Sequence, residues 1–365
     1  MKRMKKDSVL NPFADRLAAF VTRLRRRRLT AAIVQGAYNQ RGLIGFGCDN
    51  GRLLVPSDGT APVFYTDFRY IPEAKRKSPW VKVRNLTRFE AEAAGLLRTG
   101  RSKVGYEGAI TASKFLELKK MFRRAEFVDV EKDLLLLRAV KTPQEIAKIA
   151  AAAALNDRIW REARREIKPG MTEREIQRII RAWMNALGEG ESFETIVCAG
   201  ANAAECHHVS DDTVWRRGDP LLVDMGVKLD GYCSDMTRCI RGTAGRKNGI
   251  PSRYDEIYTL VLSANRAAVA AARPGITGKA LDAVARRMIT KAGYGKLFGH
   301  GLGHGVGLEV HEYPVLSKRF TNVLKPGMFV TIEPGLYIEG EFGVRIEDLV
   351  LITKDGCEVL STSPR

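Results

Sequence analysis

The sequence predicts an α/β domain over residues 1–136, followed over residues 137–365 by an α+β domain with a pseudo-twofold internal duplication. Three observations carry that reading. At 365 residues the chain exceeds what one hydrophobic core usually serves. Before residue 137 short apolar runs alternate with helical patterns. Beyond it, a Pro-Gly-x-Thr helix start and an apolar strand ending in a carboxylate each occur twice, in the same order.

In the first domain, Asn11–Arg28 and Arg88–Thr99 carry helical spacing. Ala31–Val34, Leu53–Val55 and Val63–Tyr65 are apolar runs bounded by Gly, Asn, Asp or Pro, and are predicted strands. The domain should end near Leu136, with its boundary at 137–142. There Thr142-Pro143-Gln144-Glu145 joins an N-cap, a first-position proline and a capping-box glutamate. A long Ala-rich helix to about Ile167 is predicted from that start.

The duplication is read from matched pairs. Lys168-Pro169-Gly170-Met171-Thr172 returns as Arg273-Pro274-Gly275-Ile276-Thr277, and the following helices should stop at Gly188 and Gly293, each pair 105 residues apart. Gly218-Asp219-Pro220-Leu221-Leu222-Val223-Asp224 resembles Gly327-Met328-Phe329-Val330-Thr331-Ile332-Glu333 at an offset of 109. A site at the junction of two such halves would receive carboxylates from each.

Composition excludes several function classes. A hydrophobic fraction of 45% with 28% charged residues describes a folded globular chain rather than a disordered one. The net charge of +18 raises the question of nucleic acid, but the densest runs, Met1–Lys6 and Arg23–Arg28, have few aromatics for base stacking and lie far from the residues that look chemical. A nucleic-acid partner is therefore not expected. Asp7, Ser8, Asn11 and Pro12 stand where a signal peptide would be apolar, and no run of about 18 apolar residues occurs, so a cytoplasmic chain with no membrane span is expected. The six cysteines form no C-x-x-C pair, which argues against a zinc knuckle. Cys206, next to two histidines, reads as a small buried residue near a site.

The chemistry concentrates in two hairpins and two histidine windows. Asp230-Gly231 between β-rich runs signals a two-residue turn. In that register Leu229 faces Tyr232, Asp224 faces Thr237 and Asp235 faces Gly226, so Asp224 and Asp235 become diagonal neighbours on one face, roughly 6–8 Å apart at Cβ. Two such carboxylates repel unless a cation lies between them. The second copy offers Glu333 and Glu347, with a turn near Gly340 and Gly343 whose length the sequence leaves open. All five histidines fall in two windows, His207-His208 and His300, His304, His311. The glycine-rich stretch 299–307 lacks the G-x-G-x-x-G spacing of a phosphate loop; its glycines instead allow close backbone approach. Four carboxylates and one imidazole favour hard or borderline divalent ions, manganese most naturally, with cobalt or zinc as alternatives. Two ions about 3.5–4 Å apart could activate a water and polarise a carbonyl.

The motifs V-D-M-G (223–226), S-D-M-T-R (234–238), G-L-G-H-G-V-G-L-E-V-H-E (301–312), T-I-E-P-G (331–335) and V-R-I-E-D (344–348) resemble those of the pita-bread metallopeptidases. That family includes methionine aminopeptidase, aminopeptidase P, prolidase and the non-metal creatinase. Tyr65-Thr66-Asp67-Phe68-Arg69-Tyr70 is similar to a segment of the creatinase-like N-terminal domain, which accompanies aminopeptidase P and prolidase. The resemblance implies a pita-bread second domain and a dinuclear-metal peptidase that cuts beside proline. By it, Asp224 would bind one metal, His304 and Glu333 the other, and Asp235 and Glu347 would bridge them. Glu333 would also shuttle a proton. His207 would contact substrate and stabilise the tetrahedral intermediate, His311 would hold the substrate carbonyl, and His300 would line the prolyl pocket. Arg345 would orient the carboxylates and help to bind substrate. A homodimer is implied as well. The chain departs from many relatives in having Cys206 and His208 around His207. Aminopeptidase P, acting on peptides with proline second, is the preferred activity, with prolidase, a dipeptidase, as the alternative. A non-catalytic relative that binds peptide, histone or RNA is the remote third, because such relatives lose ligands that are all present here.

Overall fold

A computed structural model describes residues 11–97, 102–240 and 252–365. The basic segment Met1–Lys6 and the last two residues of the helix expected over 88–99 lie outside the described residues. The chain divides into two compact units, Met1–Arg138 and Ala139–Arg365.

The first unit contains α1 (Ala14–Arg26), β1 (Ala31–Val34), α2 (Ala37–Ile44), β2 (Arg52–Pro56), β3 (Val63–Thr66), α3 (Ile71–Lys77), β4 (Lys82–Asn85), α4 (Phe89–Leu97), β5 (Lys103–Tyr106), α5 (Ala112–Met121), β6 (Glu126–Asp129) and α6 (Glu131–Ala139). Its six strands form one sheet in the order β4-β3-β2-β1-β5-β6. The apolar run at β1 has a simple cause: it is a central strand covered on both faces. Ala32 and Val34 pack with Phe20, Leu24 and Leu43 on one side, while Ala31 and Ile33 pack with Phe89 and Leu118 on the other. The division between the units falls within the expected 137–142, two residues past Leu136 and inside α6, because Leu134 and Leu137 still pack into the first core.

The second unit opens with α7 (Pro143–Glu166), whose Thr142–Glu145 capping box forms as expected, and α8 (Glu173–Leu187), capped in the same way by Thr172 and Glu175. Then come β7 (Ile196–Ala199), β8 (Leu221–Met225), β9 (Lys228–Leu229), β10 (Tyr232–Cys233) and β11 (Met236–Ile240). The second copy supplies α9 (Arg253–Ala271), α10 (Gly278–Lys291), β12 (Gly303–Gly305), β13 (Glu312–Leu316), β14 (Phe329–Ile332), β15 (Gly335–Ile338), β16 (Phe342–Arg345), β17 (Asp348–Ile352) and β18 (Cys357–Val359). The sheets run β11-β8-β7 and β13-β12-β14-β17-β18.

The duplication is visible in individual hydrogen bonds. Gly170 N–H donates to the Trp215 carbonyl, and Gly275 N–H to that of Leu324. Isolated bridges pair Thr172 with Val214 and Thr277 with Val323. Buried Asn156, on α7, donates to the Met225 carbonyl beyond Asp224; buried Asn265, on α9, donates to the Ile332 carbonyl before Glu333. Each helix pair covers its own sheet: Ile159, Ile176 and Ile180 meet Leu221 and Val223, and Val261, Leu281 and Ile289 meet Val330 and Ile332. The result is the pita-bread architecture expected from the sequence.

Candidate metal centre

Each half presents its carboxylates at a break in a hairpin. In the first, Leu229 pairs with Tyr232 and Asp224 with Thr237, as the turn predicts. Asp230 and Gly231 both have positive φ, the requirement of that tight turn. The same register runs through both ladders of this hairpin, which places Asp235 opposite Gly226 where the ladder is interrupted. A Cβ on Gly226 would lie 2.1 Å from the Ser234 carbonyl oxygen, so only glycine lets the strands close beside Asp235. In the second half Ile332 pairs with Asp348 and Gly335 with Arg345 in one register. Glu333 and Glu347 therefore face each other across the equivalent break. The turn length that the sequence left open makes them direct partners rather than diagonal neighbours.

All nine residues singled out from the sequence line one cavity of about 460 Å³ within the second unit: His207, Asp224, Asp235, His300, His304, His311, Glu333, Arg345 and Glu347. Ligating atoms of Asp235, His304 and Glu347 lie within 4.8 Å of one another. His304 Nε2 is 3.6 Å from Asp235 Oδ2 and 3.3 Å from Glu333 Oε1. Its Nδ1 lies 3.1 Å from the Gly305 carbonyl, so the proton sits on Nδ1 and the Nε2 lone pair faces the carboxylates.

Neighbouring side chains hold the clustered carboxylates and His304 in place. Arg345 donates to Asp224 Oδ2 at 2.7 Å and, through Nε, to Thr237 Oγ1 at 3.0 Å. Thr237 in turn donates to Glu347 Oε2 at 2.7 Å. Thr331 donates to Glu333 Oε1 at 3.1 Å and accepts the His304 N–H. Arg345 also donates to the Tyr337 hydroxyl at 2.8 Å, which leaves that hydroxyl to donate to His300 Nε2 at 2.9 Å. His300 then keeps its proton on Nδ1 for the Gly301 carbonyl. Sequence reading gave Thr237, Thr331 and Tyr337 no role. The first two sat inside quoted motifs, and the predicted register already placed Thr237 opposite Asp224. Tyr337 carried no signal. Cys206 is half-buried rather than buried, and its carbonyl accepts from Arg345 at 3.4 Å.

The electrostatics call for cations. Burial first, then the charges of Glu347, Asp224 and Glu333, raises the Asp235 carboxyl well above the usual range. Burial and the charges of Glu333 and Asp224 do the same to Glu347. Glu333 is also raised by burial, against the pull of Arg345. Burial lowers His304 to about 4, so its imidazole is neutral and able to ligate at ordinary pH. Buried Asp224 Oδ1 has no hydrogen-bond partner among the described residues. A divalent cation answers each feature at once: it neutralises the crowded carboxylates, occupies the orphaned oxygen and uses the exposed lone pair of His304. The residues fit the metal centre that the motifs imply.

Residues 147–354 match the model of Metallopeptidase family M24, and residues 16–140 match the Creatinase/Prolidase N-terminal domain. The chain belongs to metallopeptidase family M24. Among its relatives is an Xaa-Pro dipeptidase from Pyrococcus horikoshii, 39% identical over 81% of this chain and 84% of that one. A solved Xaa-Pro dipeptidase from Bacillus anthracis superposes with a TM-score of 0.88 at 33% identity, covering 96% of this chain and 98% of that one. A solved X-Pro aminopeptidase from Thermotoga maritima gives 0.82 at 32%, covering 96% and 98%. This M24 chain is therefore a metal-dependent hydrolase. No helix among its described residues is long and apolar enough to cross a membrane.

A pH dependence follows for the metal-free protein. Asp235, Glu333 and Glu347 have folded-state pKa values above their unfolded ones, so their contribution to stability is intact at low pH and is lost as pH rises through the raised values. His304 is shifted the other way, but above about pH 6.5 it is neutral both folded and unfolded. Between pH 7 and 8.5 the melting temperature should fall in chelator and hold in Mn2+. At a thousandfold excess over Kd the ion should add about 4 kcal/mol, or roughly 10 °C for a domain of this size. Thermal unfolding at both pH values checks this. A metal-induced shift that shrank as pH rose would remove the argument.

Proposed function

We propose that the chain is a dinuclear-metal Xaa-Pro dipeptidase, a prolidase, that hydrolyses the bond between a first residue and a following proline. The carboxylate–imidazole cluster lining the cavity is the observation that carries the reading. Aminopeptidase P is the activity preferred from the sequence, whose motifs both enzymes share. The named dipeptidases among the relatives and solved structures favour the reverse order.

In this reading Asp224, Asp235, His304, Glu333 and Glu347 hold two divalent ions, with manganese the natural match to oxygen-rich donors. When bound, such ions activate a water and polarise the scissile carbonyl. The protein's own groups do the rest. Arg345, Thr237 and Thr331 fix the carboxylates. Glu333, held by Thr331 and lying 3.3 Å from His304 Nε2, takes and returns the proton of the attacking water. His311, its ring 4.2 Å from that of His304, meets the substrate carbonyl. His207, exposed and lining the cavity, stabilises the oxyanion. His300, held by Tyr337, forms a wall against the proline ring.

The test compares Ala-Pro with Ala-Pro-Ala in the Mn2+-loaded protein. The dipeptide should be cleaved with kcat/KM at least about tenfold higher, equivalent to roughly 1.4 kcal/mol of preferential transition-state binding. A preference for the tripeptide would return the case to aminopeptidase P.

A further inference from the structure

We propose that His208, anchored on Glu173, is a positioning residue that holds the turn bearing His207 against the cavity; this rests on the reading above that His207 acts on the substrate. Glu173 is the first residue of α8, and its side chain has no solvent exposure. Its Oε1 accepts from the Ala199 N–H at 2.7 Å and from Asn202 Nδ2 at 3.0 Å. Its Oε2 accepts from the Asp211 N–H at 3.0 Å and from His208 Nε2 at 2.7 Å. One buried carboxylate thus ties together the end of β7, the short helical turn after it, and both ends of segment 208–211.

His207 sits inside the structure that this anchor closes. Glu205 to His208 form a turn, with the His208 N–H donating to the Glu205 carbonyl at 3.2 Å. Arg345 holds the Cys206 carbonyl at one corner, and the His208 side chain pins the other. His207, between them, is exposed and lines the cavity. Without the two fixed corners an exposed imidazole on a surface turn would sample many positions. Burial alone would lower the pKa of His208, but the Glu173 hydrogen bond and charge carry it above its ordinary value, and the 2.7 Å contact strengthens whenever the imidazole is protonated.

The duplication offers an internal comparison. The backbone N–H of Glu173 donates to the Thr213 carbonyl; the equivalent N–H in the second copy, that of Gly278, donates to the Asn322 carbonyl. A Cβ on Gly278 would lie 2.4 Å from the Val315 carbonyl oxygen, so the second copy has no room for such an anchor. The carboxylate belongs only to the half that carries the His207 turn. Glu173, His208 and Asp211 bring their ligating atoms within 4.8 Å, as a metal site would. The Glu173 oxygens, however, already accept from two backbone N–H groups, an amide and an imidazole, and the imidazole faces them as a donor.

The experiment uses the Mn2+-loaded full chain and its Glu173→Gln and His208→Gln variants. Amide hydrogen exchange should quicken over residues 205–211 and stay unchanged in β8, with two metal ions retained. On Ala-Pro, kcat should fall about tenfold with little change in KM, the pattern of a displaced transition-state group. In a His207→Ala background His208→Gln should cost nothing further. Unchanged exchange at 205–211 would overturn the proposal. So would an equal His208→Gln loss with and without His207, or a third bound ion that Glu173→Gln removes. If the parent protein cleaved no Xaa-Pro peptide, the catalytic reading would fall, while the exchange result would still decide the anchor.

Discussion

Asp235→Asn and Glu347→Gln should each abolish most activity and, in chelator, each raise the melting temperature of the protein. Both effects come from one cause. The two carboxylates are almost wholly buried, beside each other and beside Asp224 and Glu333. Metal-free, they are a source of strain: one must be protonated, or like charges must share a dry site. An isosteric amide removes one charge and keeps the shape, which should stabilise the metal-free form by roughly 1–2 kcal/mol. In the proposed reading the same change removes a metal ligand at the centre of the cluster. Loss of the several kcal/mol that a metal centre supplies corresponds to about a 10³-fold fall in kcat/KM or more. Metal content per chain should fall in parallel. Elemental analysis, a melt in chelator and Ala-Pro kinetics measure all three. Full metal content and activity in either variant would mean that the ligand assignment is mistaken.

The parts of the fold legible in the sequence are those set by local rules. The Thr142 capping box, the Asp230-Gly231 turn and the apolar β1 each depend on residues within a few positions, and each appears where expected. The duplication is legible because both copies keep the Pro-Gly-x-Thr start and the apolar strand ending in a carboxylate. What the sequence left open depended on distant partners. The facing of Glu333 and Glu347 required the length of the second hairpin. Tyr337 acquires its place only by meeting His300 and Arg345, and Glu173 only by meeting four donors from another segment. The division between the units falls inside the expected 137–142, and its position there depends on Leu137 packing into the first core. Short-range chemistry is written along the chain; long-range polar contacts are made by the fold.

His207→Ala and His311→Ala should keep both metal ions and lose about 10²–10⁴-fold in kcat, the range expected when a transition-state stabiliser or proton-transfer partner is removed. Neither imidazole belongs to the cluster of Asp235, His304 and Glu347, yet both line the same cavity. Burial lowers the His311 pKa, so the ring is neutral at working pH and can present an N–H to a carbonyl without a full charge beside the cations. A prolyl bond sharpens the demand on both. Its nitrogen carries no hydrogen, so the substrate offers no amide donor at the scissile position and must be recognised by ring shape. Replacing proline by alanine in the substrate should therefore cost most of the turnover, since a flexible residue fills the wall at His300 and Tyr337 poorly and arrives less ordered. Metal analysis and kinetics with Ala-Pro and Ala-Ala decide the matter. Equal turnover of the two peptides would refute the prolyl reading while leaving a peptidase. Loss of metal from either histidine variant would show that the imidazoles are ligands rather than partners of the substrate.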